Sequence, residues 1–123
     1  MPGLTDSRIR QIAIVCKDVA RATAFYRDTL GLRFLFAPSP TLAFFDCGGV
    51  RLMLSPAEGD AAGTSVLYYL VTDIQAQVDA LAAKGVPFVD KAHMIARMPD
   101  HELWLAEFRD SENNVMALME EKR

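Results

Sequence analysis

The stretch that decides the fold is IRQIAIVCKDVARATAFYRDTLGL, residues 9–32. Its first eight residues are rich in β-branched side chains and partly alternate with polar ones, which predicts a strand buried on at least one face. Asp18 then stands where a helix N-cap belongs, because its carboxylate accepts free backbone N–H groups of the first turn. Phe25 and Tyr26 follow at helical spacing, and Gly31 supplies a left-handed stop. The stretch therefore predicts a strand followed by a capped helix.

Three short strands are predicted after this helix, at residues 33–37, 42–46 and 50–55. Pro38-Ser39-Pro40 separates the first two and Cys47-Gly48-Gly49 separates the last two, and both are typical turn sequences. Residues 8–56 therefore form one predicted βαβββ module.

The same order of elements begins again after residue 64. A strand is predicted at 66–71, Asp73 is the second cap candidate, and Gly85 is the second stop. The helix between them carries apolar residues at i, i+4 and i+7, and strands follow at 86–89, 103–109 and 115–119.

An internal repeat accounts for both halves of the chain. Asp18 and Asp73 are 55 residues apart, and DCGGVRLML from Asp46 aligns without a gap with DSENNVMAL from Asp110. About ten extra residues fall in KAHMIARMPDH, 91–101, which we interpret as an insertion in the second half. The sequence predicts an α+β fold with one domain, 1–123, built from βαβββ modules at 8–56 and 65–121.

Composition excludes several classes of protein. The chain has 123 residues, of which 51% are hydrophobic, and 13 basic against 16 acidic residues give a net charge of −3. This composition excludes intrinsic disorder and offers no basic footprint for nucleic acid. No apolar run has the length of a membrane span or of a signal peptide, and Cys16 and Cys47 lack metal or disulfide spacing. We expect a cytoplasmic protein with reduced cysteines and no nucleic-acid or membrane partner.

Three segments carry a family resemblance. FYRDTLGL at 25–32, DCGG at 46–49 and FRD at 108–110 resemble the vicinal oxygen chelate superfamily, which includes glyoxalases, bleomycin-resistance proteins, fosfomycin-resistance proteins and extradiol dioxygenases. The likeness covers nearly the whole chain. Two departures are Ser111 and Asn113, where relatives usually carry Pro and Gly. The resemblance implies that the modules form curved mixed sheets that close into a cup, with the ligand inside and the helices outside.

The resemblance also implies where a divalent metal would be held. Relatives use His or Gln, Glu, His and Glu from the first and last strand of each module, and these positions here are Gln11, Met53, Val66 and Ala117. Val and Ala offer no lone pair, and thioether sulfur suits copper(I) rather than a hard or borderline cation. A register shift of one residue brings only apolar side chains to these positions. We therefore predict no metal site and no cofactor.

The remaining cup-facing residues suggest an apolar pocket with a few polar groups. Strand alternation places Gln11, Ala13 and Val15 on one face, and Arg51 and Met53 on the corresponding face of a later strand. An inward Arg51 indicates a bound carboxylate or phosphate, an internal acidic partner, or a side chain that reaches solvent. The predicted ligand-binding residues are Gln11, Arg51, Met53, Val66, Tyr68, Trp104 and Ala117. The alternative is that these side chains fill the interior and leave no cavity.

The second half contains the candidates for catalysis, although no catalytic residue is assigned. Asp100 beside His101 suggests a general base, yet neighbours in an extended segment point in opposite directions. We therefore favour a structural role or a dimer contact for His93 and His101. Glu107 interrupts an apolar strand, and it faces either solvent or the cup. His101 and Glu107 are the candidates that a catalytic interpretation offers.

These observations favour a metal-independent small-molecule-binding protein that resembles the bleomycin-resistance type and forms a homodimer. The alternative is a lyase, isomerase or dioxygenase-like enzyme of the same superfamily that acts on a small metabolite. A third interpretation is an interaction module whose cup has collapsed.

Overall fold

The computed structural model describes residues 5, 6, 8–56 and 65–123. The chain divides into two compact units, and the division falls between residues 62 and 63. Among the described residues, no helix has the length and apolar character needed to cross a membrane.

The described residues of the first unit form one helical segment and four strands. In chain order they are β1 (Gln11–Val15), α1 (Val19–Ala24), a π-helical turn (Phe25–Thr29), β2 (Arg33–Ser39), β3 (Leu42–Cys47) and β4 (Val50–Ser55). The sheet has the order β1-β4-β3-β2, with β1 parallel to β4 and the other pairs antiparallel.

The second unit repeats this topology. Its elements are β5 (Leu67–Leu70), α2 (Ile74–Ala83), β6 (His93–Arg97), β7 (Glu102–Arg109) and β8 (Val115–Lys122). The sheet order is β5-β8-β7-β6, with β5 parallel to β8. The α+β class and the two repeated modules are confirmed.

The first predicted helical segment begins and ends as expected, but only its first part, Val19–Ala24, is α-helical. The Asp18 carboxylate accepts a hydrogen bond from the backbone N–H of Arg21 at 3.0 Å, as an N-cap does. The α-helical bonding ends at Ala24, and the Leu30 N–H then donates to the Phe25 carbonyl five residues earlier at 2.9 Å, which widens the last turn. Gly31 follows with φ of +73°.

The second helix has an additional cap from β8. The Asp73 carboxylate accepts from the Ala76 N–H at 3.2 Å, and the Glu120 carboxylate accepts from the Ile74 N–H at 2.9 Å. Both carboxylates therefore lie at the helix N-terminus, where the unpaired N–H groups and the helix dipole favour negative charge. Gly85, with φ of +88°, ends the segment as predicted.

The predicted strand at 86–89 is wrong. This segment makes one isolated bridge, between Phe88 and Phe108, and the strand lies instead at β6, inside the stretch interpreted as an insertion. Pro87 has no N–H to donate to a ladder, which disfavours a regular strand there. β2 begins two residues after Gly31, whereas β6 begins eight residues after Gly85, so much of the extra length precedes the strand.

The turn after β7 explains one departure from the family pattern. Asn113 has φ of +66°, a left-handed conformation that favours Gly and that Asn tolerates better than most residues. The buried Asp110 carboxylate accepts hydrogen bonds from the Glu112 and Asn114 N–H groups at 2.8 and 2.7 Å, which closes this turn.

Each sheet packs its helix against one face, and we call the opposite face the far face. In the first unit the buried residues on the helix side are Ile14, Cys16, Val19, Ala22, Tyr26, Ala43, Phe45, Leu52 and Leu54. In the second unit they are Ile74, Leu81, Val86, Ala106, Phe108, Met116 and Leu118. The burial of Ile14 and Cys16 confirms the predicted alternation of β1.

Candidate functional site

The far face of the first sheet carries two rows of side chains that run across the strands. Register partners in neighbouring strands share a face, so each row is read directly from the strand pairing. The polar row contains Gln11, Arg51, Asp46 and Arg33, from β1 to β2. The apolar row contains Ala13, Met53, Phe44 and Phe36. On β1, β4 and β3 it lies two residues away from the polar row.

A β-bulge in β2 sets the end of the apolar row. The register shifts between Phe34 and Phe36, so that Leu35 is the extra residue and Phe36 lies opposite Phe44. The two rings lie 4.9 Å apart between centroids at 32°, whereas Phe34 packs on Phe45 on the helix side. The bulge therefore adds an exposed ring to the far face.

Arg51 lies at the junction of the two rows. Its side chain is half-buried, and its guanidinium carbon lies 5.4 Å from the centroid of the Phe44 ring. None of the ion pairs formed among the described residues uses Arg51. Of the alternatives offered for Arg51, an internal acidic partner is therefore not found in the described part of the chain.

Three predicted residues of the first unit are brought together. Gln11 is the register partner of Arg51, and its amide nitrogen lies 3.8 Å from the Met53 sulfur, a weak hydrogen bond.

Sequence reasoning missed Phe44 and Phe36. Strand alternation from Asp46 was sufficient to find Phe44, whereas Phe36 depends on the bulge, which no local pattern announces.

The far face of the second sheet carries Tyr68, Ala117 and Glu107 in one row. Tyr68 is the register partner of Ala117, which is the partner of Glu107. Tyr68 is 53% exposed and Ala117 is fully buried. Glu107 therefore lies on the face predicted for ligand contact, which answers the question that the sequence left open. Val66 is half-buried and precedes β5.

Trp104 does not share this face. It is the register partner of Glu120, so its ring lies on the helix-packed side of the sheet. The Lys122 amine sits 3.9 Å from the ring centroid, and the indole N–H donates to the Glu102 carboxylate at 3.1 Å. This N–H is the main cause of a lowered pKa at Glu102. Trp104 and Glu107 are three positions apart, an odd offset, so strand alternation places their side chains on opposite faces.

His101 and Asp100 contact each other, contrary to the expectation that they point apart. The His101 Nδ1 atom lies 2.7 Å from an Asp100 carboxylate oxygen. The Met98 N–H donates to the His101 carbonyl at 2.7 Å, so these residues form a tight turn rather than an extended segment.

Arg123 completes this cluster at the β6–β7 turn. It donates to the other Asp100 oxygen at 2.7 Å, and this bond, followed by that from His101, lowers the pKa of Asp100. A surface groove of about 430 Å³ is lined by Arg97, Met98, His101, Glu102, Lys122 and Arg123. Glu107 is six residues further along, about 20 Å at strand spacing, so the two catalytic candidates are not brought together.

The residues at the family's metal positions do not fit a divalent cation. In the first unit Gln11 and Met53 offer one amide and one thioether, and in the second unit Val66 and Ala117 offer only methyl groups. The described residues contain no group of three His, Cys, Asp or Glu side chains arranged to hold a metal. No chemical step is therefore derived through a metal at these positions.

Comparison with known proteins establishes the family. A model described as the Glyoxalase/Bleomycin resistance protein/Dioxygenase superfamily matches residues 8–118. The chain belongs to this superfamily, and the resemblance seen in the sequence is confirmed.

Individual relatives agree with this assignment. YraH from Bacillus subtilis strain 168 is 26% identical over 90% of this chain and 96% of its own. The crystal structure of lactoylglutathione lyase from Agrobacterium tumefaciens matches with a TM-score of 0.72 and 26% identity, over 94% of this chain and 95% of that one. TnmS3, an antibiotic binding protein from Streptomyces sp. CB03234, matches with a TM-score of 0.75 and 19% identity, over 98% and 100%.

Proposed function

We propose that this chain is a small-molecule-binding protein that needs no metal. One observation carries the proposal: the four positions at which the superfamily holds its metal carry Gln11, Met53, Val66 and Ala117, which together supply a single suitable oxygen donor. Metal-dependent members polarise a chelated substrate oxygen, a step that this donor set does not support.

The far faces support binding as the function. The first sheet offers an exposed aromatic ring, that of Phe36, and the half-buried guanidinium of Arg51, and small-molecule sites typically combine apolar walls with a few polar groups. We propose that Gln11, Arg51 and Met53 contact the ligand from this sheet, and that Val66, Tyr68 and Ala117 do so from the second. The fold shared with the antibiotic-binding TnmS3 is compatible with this role.

We also propose that the protein works as a homodimer in the cytoplasm. All residues of the edge strand β2 are exposed, including Phe34 and Leu35, and edge strands with apolar side chains favour association. Cys16 and Cys47, both in the described part of the chain, form no disulfide, which suits a reducing compartment. Sedimentation equilibrium tests the dimer: a mass of one chain at micromolar concentration contradicts it.

The test of binding is a thermal-shift screen of chelator-treated protein against small organic molecules, followed by calorimetric titration of each hit. Binding with the same Kd in the presence and absence of chelator supports the proposal. Binding that appears only after a divalent metal is added contradicts it, and so does a diverse panel without any hit.

Matched variants locate the site. Gln11→Ala and Met53→Ala remove side chains from the far face of the first sheet, whereas Gln77→Ala removes an exposed amide from α2. The first two variants should weaken binding of the hits and the third should not. Equal affinities in all three variants contradict the predicted site.

The contact between His101 and Asp100 favours a second candidate function, metal-independent proton transfer. Each hit from the screen is incubated with the protein and followed by NMR. Product formation that disappears in the variant His101→Gln supports an enzyme, whereas an unchanged spectrum of the bound molecule supports a binding protein.

A further inference from the structure

The two rows on the first sheet differ in chemistry and lie close together. Residues two apart along a strand are separated by about 7 Å. This distance separates Arg51 from Met53 on β4, and Asp46 from Phe44 on β3. A ligand that covers both rows therefore meets an apolar surface at one end and charged groups at the other.

The apolar row offers one exposed ring, that of Phe36, to an aromatic ligand. The Phe36 and Phe44 rings stack on each other, with centroids 4.9 Å apart and a tilt of 32°, and Phe44 is 9% exposed whereas Phe36 is 47% exposed. The bulge at Leu35 is the local feature that places Phe36 opposite Phe44, and bulges commonly redirect a side chain at functional sites. Offset stacking on such rings favours planar ligands over bulky saturated ones.

The polar row carries an excess of positive charge. Its charged members are the guanidinium groups of Arg51 and Arg33 and one carboxylate, that of Asp46, which is the register partner of both. Neither arginine appears in an ion pair among the described residues. The planar guanidinium of Arg51, whose carbon lies 5.4 Å from the Phe44 ring centroid, presents N–H groups that suit bidentate binding of a carboxylate.

We infer that the first sheet binds a flat aromatic carboxylate, with its ring on the exposed Phe36 ring and its carboxylate on the Arg51 guanidinium. The inference rests on the proposed binding function and specifies the class of ligand. A cationic ligand would meet two arginines, and a strongly hydrated ligand without a ring would leave the apolar row without a partner. A carboxylate attached directly to a fused ring system spans the distance between the rows.

Three probes separate the contributions of charge and ring. They are 2-naphthoate, its uncharged counterpart 2-naphthamide, and cyclohexanecarboxylate, each titrated calorimetrically in buffer with chelator. We expect 2-naphthoate to bind about tenfold or more tightly than 2-naphthamide, as a charge-assisted contact to a half-buried guanidinium implies. Added salt should weaken binding of 2-naphthoate more than binding of 2-naphthamide.

Variants assign the two contributions to residues. Arg51→Gln should remove the preference for 2-naphthoate over 2-naphthamide, and Arg51→Lys should retain part of it because the charge remains. Phe36→Leu should weaken both naphthalene probes more than cyclohexanecarboxylate. The control Arg27→Gln makes the same change of charge on the π-helical turn, where Arg27 pairs with Asp28, and should leave all three affinities unchanged.

Equal affinity for acid and amide, or an unchanged preference in both Arg51 variants, overturns the inference. So does the absence of binding by all three probes while other molecules bind without metal, and in that case the proposed function stands. Binding of 2-naphthoate that requires added divalent metal contradicts the proposed function itself.

Discussion

Replacement of Asp110 tests how the turn between β7 and β8 is stabilised. Asp110 is 5% exposed, and its carboxylate accepts hydrogen bonds from the backbone N–H groups of Glu112 and Asn114 and, at 3.0 Å, from the Asn114 side-chain amide. A hydrogen bond to a charged group contributes about 1.5–3 kcal/mol when its partner stays buried. Water reaches the part-buried donors of this turn once the carboxylate is removed, so each lost hydrogen bond should lower the free energy of unfolding by about 1 kcal/mol.

Asp110→Ala should therefore lower the free energy of unfolding by about 3 kcal/mol, a large fraction of the stability of a small domain. Asp110→Asn keeps the shape and one oxygen acceptor but sets an amide nitrogen against the Asn114 amide, and should lower the same free energy by about 1.5 kcal/mol. Urea denaturation with equal m-values in all three proteins gives these differences. A loss below about 0.5 kcal/mol for Asp110→Ala would refute this account of the turn.

Three further changes test other local features. Asp73→Ala should lower the free energy of unfolding by about 1 kcal/mol because it removes the side-chain cap of α2, whereas Asp79→Ala on the same helix should cost much less; urea denaturation compares them. Asn113→Ala should be less stable than Asn113→Gly by about 1 kcal/mol in the same assay, since residue 113 has a positive φ. Arg123→Gln should raise the pKa of Asp100, measured by carboxyl NMR, because the Arg123 hydrogen bond is the main cause that lowers it. Because folding lowers this pKa, the contribution of Asp100 to stability is present above its unfolded pKa and is lost as pH falls through the folded value, and Arg123→Gln should weaken that dependence.

The elements that the sequence predicted correctly depend on local chemistry. Asp18 and Asp73 each cap the helix that starts one residue later. The neighbouring residues alone are sufficient to recognise both caps. The same holds for the Gly31 stop and for the alternation of β1, because both follow from backbone geometry within a few residues.

The errors concern features that local patterns do not encode. Both 86–89 and 93–97 lie against β7, but the first makes one isolated bridge and the second makes four register pairs, a difference that the local sequence does not encode. The contact between His101 and Asp100 depends on a turn that the Met98 N–H closes. Neighbouring side chains point apart in an extended strand, but they can meet in a turn. Phe36 reaches the candidate site through a bulge, which shifts the alternation by one residue.

Native mass spectrometry of a ligand-bound sample shows whether this chain, with Gln11, Met53, Val66 and Ala117 at the superfamily's metal positions, binds its ligand without a metal. The protein is purified without added metal, mixed with a hit from the thermal-shift screen, and measured under conditions that keep the complex intact. The account predicts a complex whose mass equals protein plus ligand, with no metal. A complex that forms only when it also carries one divalent metal ion per ligand would contradict it.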